Sequence, residues 1–215
     1  MKFFLCILLL LGAISARADF VAGIGLEGST SGESNRGEFR HNSLFGVRGD
    51  FEIGFKYLTL HLSGAYSFGT ADSDYQLTDP NNASNTATAE GLETTLGLLR
   101  LGVGARLMLI RSQRFRFFAG GGGLYGALAL MYDKDEYYWK TGSTNGLKST
   151  EAQALKGSYL EAGMDFIFTK TVGMRLLYQK TFLQTDAFET LNNKELDLQT
   201  NYFSLNYIQY VDTKW

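Results

Sequence analysis

Cysteine and proline are nearly missing from this chain, with one of each, Cys6 and Pro80, among 215 residues. A single cysteine excludes the small, disulfide-stapled class of exported domain. Scarce proline suits a chain of many strands that must keep their backbone donors. A dominant charge is missing too, since 20 Lys and Arg against 22 Asp and Glu leave a net charge of -2. The basic footprint of a nucleic-acid binder is therefore absent, and no nucleic-acid partner is expected. Beyond the first residues there is no apolar run long enough for a transmembrane helix, and mean hydropathy is only -0.10. That does not exclude membrane-crossing strands, whose hydrophobicity is diluted by alternation. No metal or cofactor motif is present. The acidic residues Asp72, Asp74, Asp79, Asp133, Asp135 and Glu136 lack the spacing of a calcium loop and read as a solvated rim.

The opening MKFFLCILLLLGAISARA has the three parts of a secretory signal peptide: Lys2, an apolar run from Phe3 to Ile14, and the triplet Ala16-Arg17-Ala18. Cleavage is expected before Asp19, giving a signal peptide over 1–18 and one domain over 19–215. Cys6 lies inside the apolar run, away from the junction, so a lipid anchor there is not expected.

What the chain has in quantity is glycine (25), phenylalanine (16) and tyrosine (12), arranged with period two. In FGVRGDFEIGF, residues 45–55, Phe45, Val47, Phe51, Ile53 and Phe55 alternate with Arg48, Asp50 and Glu52. Eight such segments are predicted as strands, over 19–28, 43–55, 57–68, 93–110, 114–132, 155–168, 172–182 and 199–211. The last is the least regular, because Ile208, Gln209 and Tyr210 blur its register in the manner of a bulge. Long polar stretches follow the odd-numbered strands, and tight turns follow the second, fourth and sixth, near Phe55-Lys56, Ser112 and Thr169–Thr171. The predicted fold is all-β, an eight-stranded antiparallel up-and-down transmembrane β-barrel, with long loops at one rim and short turns at the other. A turn at 55/56 would pair Ile53 with Leu58 and Asp50 with His61. A turn at 169–171 would set Asp165 opposite Arg175.

The side-chain sizes decide which face is inside. Eight strands enclose a space only just wide enough to be filled by side chains. One face carries a crowd of Phe, Leu, Met and Tyr, the other Gly, Ser, Thr and charges. The apolar face is therefore expected to meet lipid, and the interior to hold Arg48, Asp50, Glu52, Arg100, Arg106, Glu161, Asp165 and Arg175, four charges of each sign. Desolvated ions need such pairing, and breaking one pair costs about 3–5 kcal/mol. The set reads first as a structural plug and second as an ion pathway.

Signal peptide, eight alternating strands, unequal loops and the stretch RFFAGGGGLYG resemble the small outer-membrane β-barrel families, among them the OmpA transmembrane domain and OmpX- and OmpW-like proteins. The resemblance implies outer-membrane localisation, with lipid and lipopolysaccharide as surroundings. It also implies barrel-assembly machinery that reads a C-terminal aromatic, here Trp215, with Val211 in phase and Thr213 and Lys214 departing from the usual pattern. Lipid A deacylases of this barrel class use His, Ser and an acid. His61 and Ser63 share a strand face near Asp50 or Glu52, but alternation turns them inward, so a hydrogen-bonded interior pair is the simpler reading. Gly120–Gly123 lacks the lysine and helix of a phosphate loop and fits a sharply curved sheet. Aromatics such as Tyr137, Tyr138 and Trp139 suit an interfacial girdle or a surface contact with an unidentified extracellular partner. The expected role is non-enzymatic, structural or surface-contact, with a narrow solute channel and a lipid A-modifying enzyme as alternatives.

Overall fold

The computed structural model describes residues 19–33, 39–55, 57–79, 82–141, 148–191 and 193–211. The predicted signal peptide, 1–18, and Trp215 lie outside them. Ten strands are present among the described residues: β1 (Asp19–Ser29), β2 (Gly32–Glu33), β3 (Phe39–His41), β4 (Phe45–Phe55), β5 (Leu58–Asp79), β6 (Asn82–Arg111), β7 (Phe115–Tyr132), β8 (Thr150–Ile167), β9 (Val172–Thr185) and β10 (Asp197–Val211). Eight of them, β1 and β4 to β10, close an antiparallel ring: β1 pairs with both β4 and β10, and β5 with β6. Closure leaves the membrane-spanning part without an open edge, so backbone donors and acceptors are satisfied within the sheet, as hydrocarbon demands. A helix α1 (Lys134–Thr141) and a single 3-10 turn (Glu189–Leu191) lie between strands at the long-loop end.

Two register expectations meet different outcomes. Asp165 does stand opposite Arg175. The β4–β5 hairpin turns one residue later than expected, so Ile53 faces Leu60, Glu52 faces His61 and Asp50 faces Ser63. The shift is even, so no side chain changes face. The bulge expected in the last strand is not there. β10 runs in unbroken register with β9 and β1, and Ile208 and Tyr210 simply point inward. The irregularity falls instead at Met108/Ile110 of β6, which leaves Leu109 and Ile110 both facing out. Within the stretch 70–92, expected as a loop, residues 70–79 continue β5 and residues 82–92 belong to β6, paired as two arms that rise past the ring, with β3 paired to their flank.

The outer surface carries the expected apolar belt. Ile24, Leu26, Leu62, Leu101, Val103, Leu107 and Leu160 are largely exposed there. Aromatics mark the ends of the belt, with Phe20 against Phe51 and Phe115 against Phe166 towards the short turns, and Tyr178 against Phe203 towards the loops. These are the girdles of a barrel seated at two membrane interfaces.

Inside, three layers are stacked. Val21, Ile167, Ile208 and Tyr210 form an apolar floor at the short-turn end. The ionic residues fill the middle. Above them lies a roof of Leu92, Leu96, Leu98, Leu124, Leu128, Leu130, Leu155 and Leu183 with Tyr75, Tyr132, Tyr137 and Phe188. Bulky aliphatics thus occupy two of the three interior layers, floor and roof, where only small and charged residues were expected. The reason is visible along β6. From Leu99 onward the outward residues are apolar and the inward ones are Arg100, Gly102, Gly104 and Arg106, whereas before Leu98 the outward residues are Glu93 and Thr95 and the inward ones Leu92, Thr94 and Leu96. The patterning inverts where the barrel leaves lipid and enters water, and Leu98-Leu99 marks the crossing.

Candidate functional site: the ionic layer and the barrel mouth

Strand alternation aims every second side chain of eight strands at one axis, which places the charges of distant segments within reach of each other. Arg175 of β9 makes a two-point bond to Asp165 of β8, Nε to Oδ1 at 2.6 Å and Nη2 to Oδ2 at 2.9 Å. Arg106 of β6 does the same with Glu161 of β8, at 2.6 and 3.1 Å. Both arginines also bond Glu52 of β4, which lies across the ring from β8. Arg48 holds Asp50 at 2.9 Å and donates to Gln179 Oε1 at 3.1 Å. Arg100 bonds Glu27, whose Oε1 also accepts from Ser67. All of these groups are nearly or wholly out of contact with solvent. Guanidinium planes also lie over aromatic rings: Arg106 and Arg175 over Phe118 at 4.7 and 4.9 Å, Arg100 over Tyr202 at 3.6 Å, and Arg116 over Tyr210 at 4.7 Å.

All eight charged residues anticipated from sequence therefore face the interior, and they form one connected set. Two further charges join them. Glu27 and Arg116 have the same parity as their neighbours, and Arg116 stands opposite Asp165 in the β7–β8 register. Five arginines and five carboxylates are then buried in the layer. His61 and Ser63 both point inward, but residues two apart on a strand are about 7 Å from each other. The His61 ring bonds the Tyr159 hydroxyl at 2.6 Å and lies 3.2 Å from Glu161 Oε1, and Ser63 is not its partner. The glycines of β6 to β8 are what admit these rings. A methyl group on Gly104 would lie 2.2 Å from the Tyr159 hydroxyl, and one on Gly163 would lie 2.4 Å from the Phe118 ring.

At the mouth, α1 and the 3-10 turn pack onto the apolar roof through Tyr137, Phe188 and Leu191. Asp133 caps α1, accepting from the backbone of Asp135 and Glu136 at 2.8 and 3.0 Å. Tyr137 of α1 is buried edge-on against Tyr75, which in turn meets Tyr132 at 4.8 Å. The 3-10 turn is tied down by Glu151. Its carboxylate accepts from the backbone of Glu189 at 2.8 Å and of Thr190 at 3.0 Å, and from the Thr190 hydroxyl at 2.6 Å. Burial alone would raise this carboxyl, but the Thr190, Glu189 and Gln153 hydrogen bonds outweigh it and hold the group below its ordinary value. Burial likewise lifts the Tyr132 hydroxyl to about 12, keeping it protonated as a partner for Thr190. Lys148 reaches Glu189 at 2.8 Å, and His41 bonds Thr200 at 3.1 Å, tying β3 to β10. Sequence reading gave Glu151 no role. A lone glutamate at the start of a strand carries no signal until its loop partners are in place.

No protein-family model and no curated sequence matches the chain. Solved structures do match in fold. Ail, the attachment invasion locus protein of Yersinia pestis, is 10% identical with a TM-score of 0.54, covering 91% of this chain and 100% of that one. Neisserial surface protein A is 11% identical with a TM-score of 0.59, covering 90% and 99%. OprG from Pseudomonas aeruginosa is 12% identical with a TM-score of 0.57, covering 91% and 97%. At such identities the likeness is one of fold. Together with the closed ring, the outward apolar belt and its aromatic ends, it defines the class: the protein is a small eight-stranded β-barrel integral to the outer membrane.

Proposed function

We propose that the protein is a non-conducting, non-enzymatic outer-membrane barrel that holds a rigid platform at the cell surface and acts through contacts of that platform. The observation that carries this reading is the filled interior. Floor, ionic layer and roof follow one another along the axis, and Arg100, Arg106 and Arg175 are among the most completely buried side chains. An ion path would need solvated charges along its length. A lipid-modifying enzyme would need its histidine open to lipid, whereas His61 is 2% exposed and enclosed by Tyr159 and Glu161.

The platform is the hairpin of β5 and β6 with α1 and the 3-10 turn, pinned by the Tyr75–Tyr132–Tyr137 cluster and by Glu151. Ordering the loops in advance lowers the entropy lost on binding a partner. Tyr138 of α1 is half exposed beside buried Tyr137 and offers an aromatic contact. An extracellular partner, outer-membrane lipid and the assembly machinery are the interactions this reading requires. Two measurements test it. Planar bilayers containing the folded protein should show no discrete conductance steps. Replacing α1 with a Gly-Ser linker should reduce binding of the reconstituted barrel to host-cell or bacterial surfaces while the barrel stays folded. Regular conductance steps, or binding indifferent to the linker, would overturn it.

A further inference from the structure

A groove of about 420 Å³ lies on the outer face of β8, β9 and β10, lined by Lys156, Ser158, Phe182, Gln184, Asp197 and Gln199. Its position follows from the register. Ser158, Phe182 and Gln199 form one row across the three strands, and Lys156, Gln184 and Asp197 form the next row towards the loops. On the membrane side come Leu160, Lys180 and Asn201, then Ala162, Tyr178 and Phe203. The last of these rows holds the stacked aromatic pair that ends the apolar belt, with rings 5.2 Å apart. The groove therefore opens at the height where acyl chains give way to headgroups.

Its charges differ in kind from those inside. Among the described residues neither Lys156 nor Lys180 has an ion-pair partner, while Arg48, Arg100, Arg106 and Arg175 inside are paired to carboxylates. The Lys180 ammonium lies over the Phe182 ring at 5.3 Å, which brings it to the wall of the groove. Lys156 is exposed on the opposite wall. Asp197 stands in the same row as Lys156 but two strands away, on β10, and Gln184 between them bonds Glu195 at 2.9 Å. A negative ligand is thus favoured on the β8–β9 side of the groove, between the lysines, and disfavoured towards Asp197 on β10. Lysines at this height lay their stems on apolar surface and hold their ammonium groups at headgroup level.

We infer that this groove seats the phosphorylated headgroup of an outer-leaflet lipid, with Lys156 and Lys180 on the phosphate and Phe182, Leu160 and Tyr178 against its acyl portion. The site is independent of the loop-contact reading above. The ligand is a lipid rather than free phosphate because one wall of the groove continues into the belt.

The test uses the full-length folded barrel in non-ionic detergent, with native mass spectrometry as readout. Lipid A carrying both phosphates is the probe, dephosphorylated lipid A the comparison and inorganic phosphate the competitor. One bisphosphorylated lipid should remain on each barrel, dephosphorylated lipid A should not be retained, and millimolar phosphate should not displace the bound lipid. Retention should fall about thirtyfold in the Lys156→Gln/Lys180→Gln double variant. It should be kept in Lys156→Arg/Lys180→Arg and in Lys148→Gln, which alters a lysine at the mouth. Heat-modifiable gel mobility reports that each variant is folded. Equal retention by the glutamine double variant, equal retention of dephosphorylated lipid, or displacement by inorganic phosphate would each overturn the proposal.

Discussion

Glu52 on β4 and Arg175 on β9 meet in the middle of the barrel although their strands share no ladder. Glu52 also receives Arg106, so one carboxylate ties three walls together. Glu52→Ala would leave two guanidinium groups each short of a counter-charge in a place that water scarcely reaches. The expected loss is about 3–5 kcal/mol of folding stability, measured by urea unfolding in lipid vesicles. The exposed variant Asp72→Asn should stay within about 0.5 kcal/mol of the parent. Equal midpoints for the two variants would mean that the layer is hydrated and the pairing weak.

The inversion along β6 makes a sharper prediction. Leu101 and Thr95 both point outward on the same strand, but Leu101 lies in the belt and Thr95 above it. An arginine at Leu101 should cost about 2–4 kcal/mol in a bilayer, whereas one at Thr95 should cost at most about 1 kcal/mol. Both substitutions should be mild in a soft detergent, where a charge can find water. Equal costs at the two sites in vesicles would place the membrane boundary elsewhere.

This boundary is also where sequence reading loses its grip. Within the belt, Phe45 to Phe55 and Leu99 to Leu109 show which face meets lipid, because two very different solvents impose opposite compositions on alternate residues. Outside it the outward face is Asp, Thr and Glu and the flanks carry Ala, Ser and Thr, so the stretch 70–92 looks like a loop although residues 70–79 pair with residues 82–95 strand to strand. The charged residues were legible because an arginine facing glycine and serine in a barrel has nowhere to go but inside. Asp165 opposite Arg175 was legible from the short turn between them, but partners across the ring were not, since Glu52 reaching Arg175 depends on the diameter and tilt of the ring. Tyr159, Phe118 and Tyr202 were missed for a related reason: a ring that crosses the interior looks, in sequence, like any strand aromatic.

At the mouth, Glu151 gives a pH dependence of known sign. Its carboxyl is held below the ordinary value of 4.5, so the charged form is the one that binds the 3-10 turn. The stabilisation is complete above that ordinary value and is lost as pH falls through the lower folded value. The protection of the Thr190 amide against hydrogen exchange, taken relative to the intrinsic rate at each pH, should be high at neutral pH and fall as the pH drops below about 4.5, with the ring strands still protected. Glu151→Gln should expose the same amide at every pH and abolish the acid step. An unchanged step in that variant would assign the titration to another group.

Gly102 offers a test of interior packing that separates shape from charge. A methyl group placed there would lie 2.5 Å from the Ser63 hydroxyl, 3.1 Å from Leu124 and 3.6 Å from the Tyr159 ring, all of them side-chain atoms. The tightest obstacle is therefore removable without disturbing the sheet. Gly102→Ala alone should overpack the layer and cost about 1–3 kcal/mol. Adding Ser63→Gly removes the clash, because the hydroxyl that blocked the methyl group is gone and His61 keeps its bond to Tyr159. Most of the lost stability should return in the double variant, beyond what the two single changes would give by addition. Strict additivity in urea unfolding would mean that the strand relaxes around the methyl group, and that the ionic layer is less tightly packed than the buried arginines indicate.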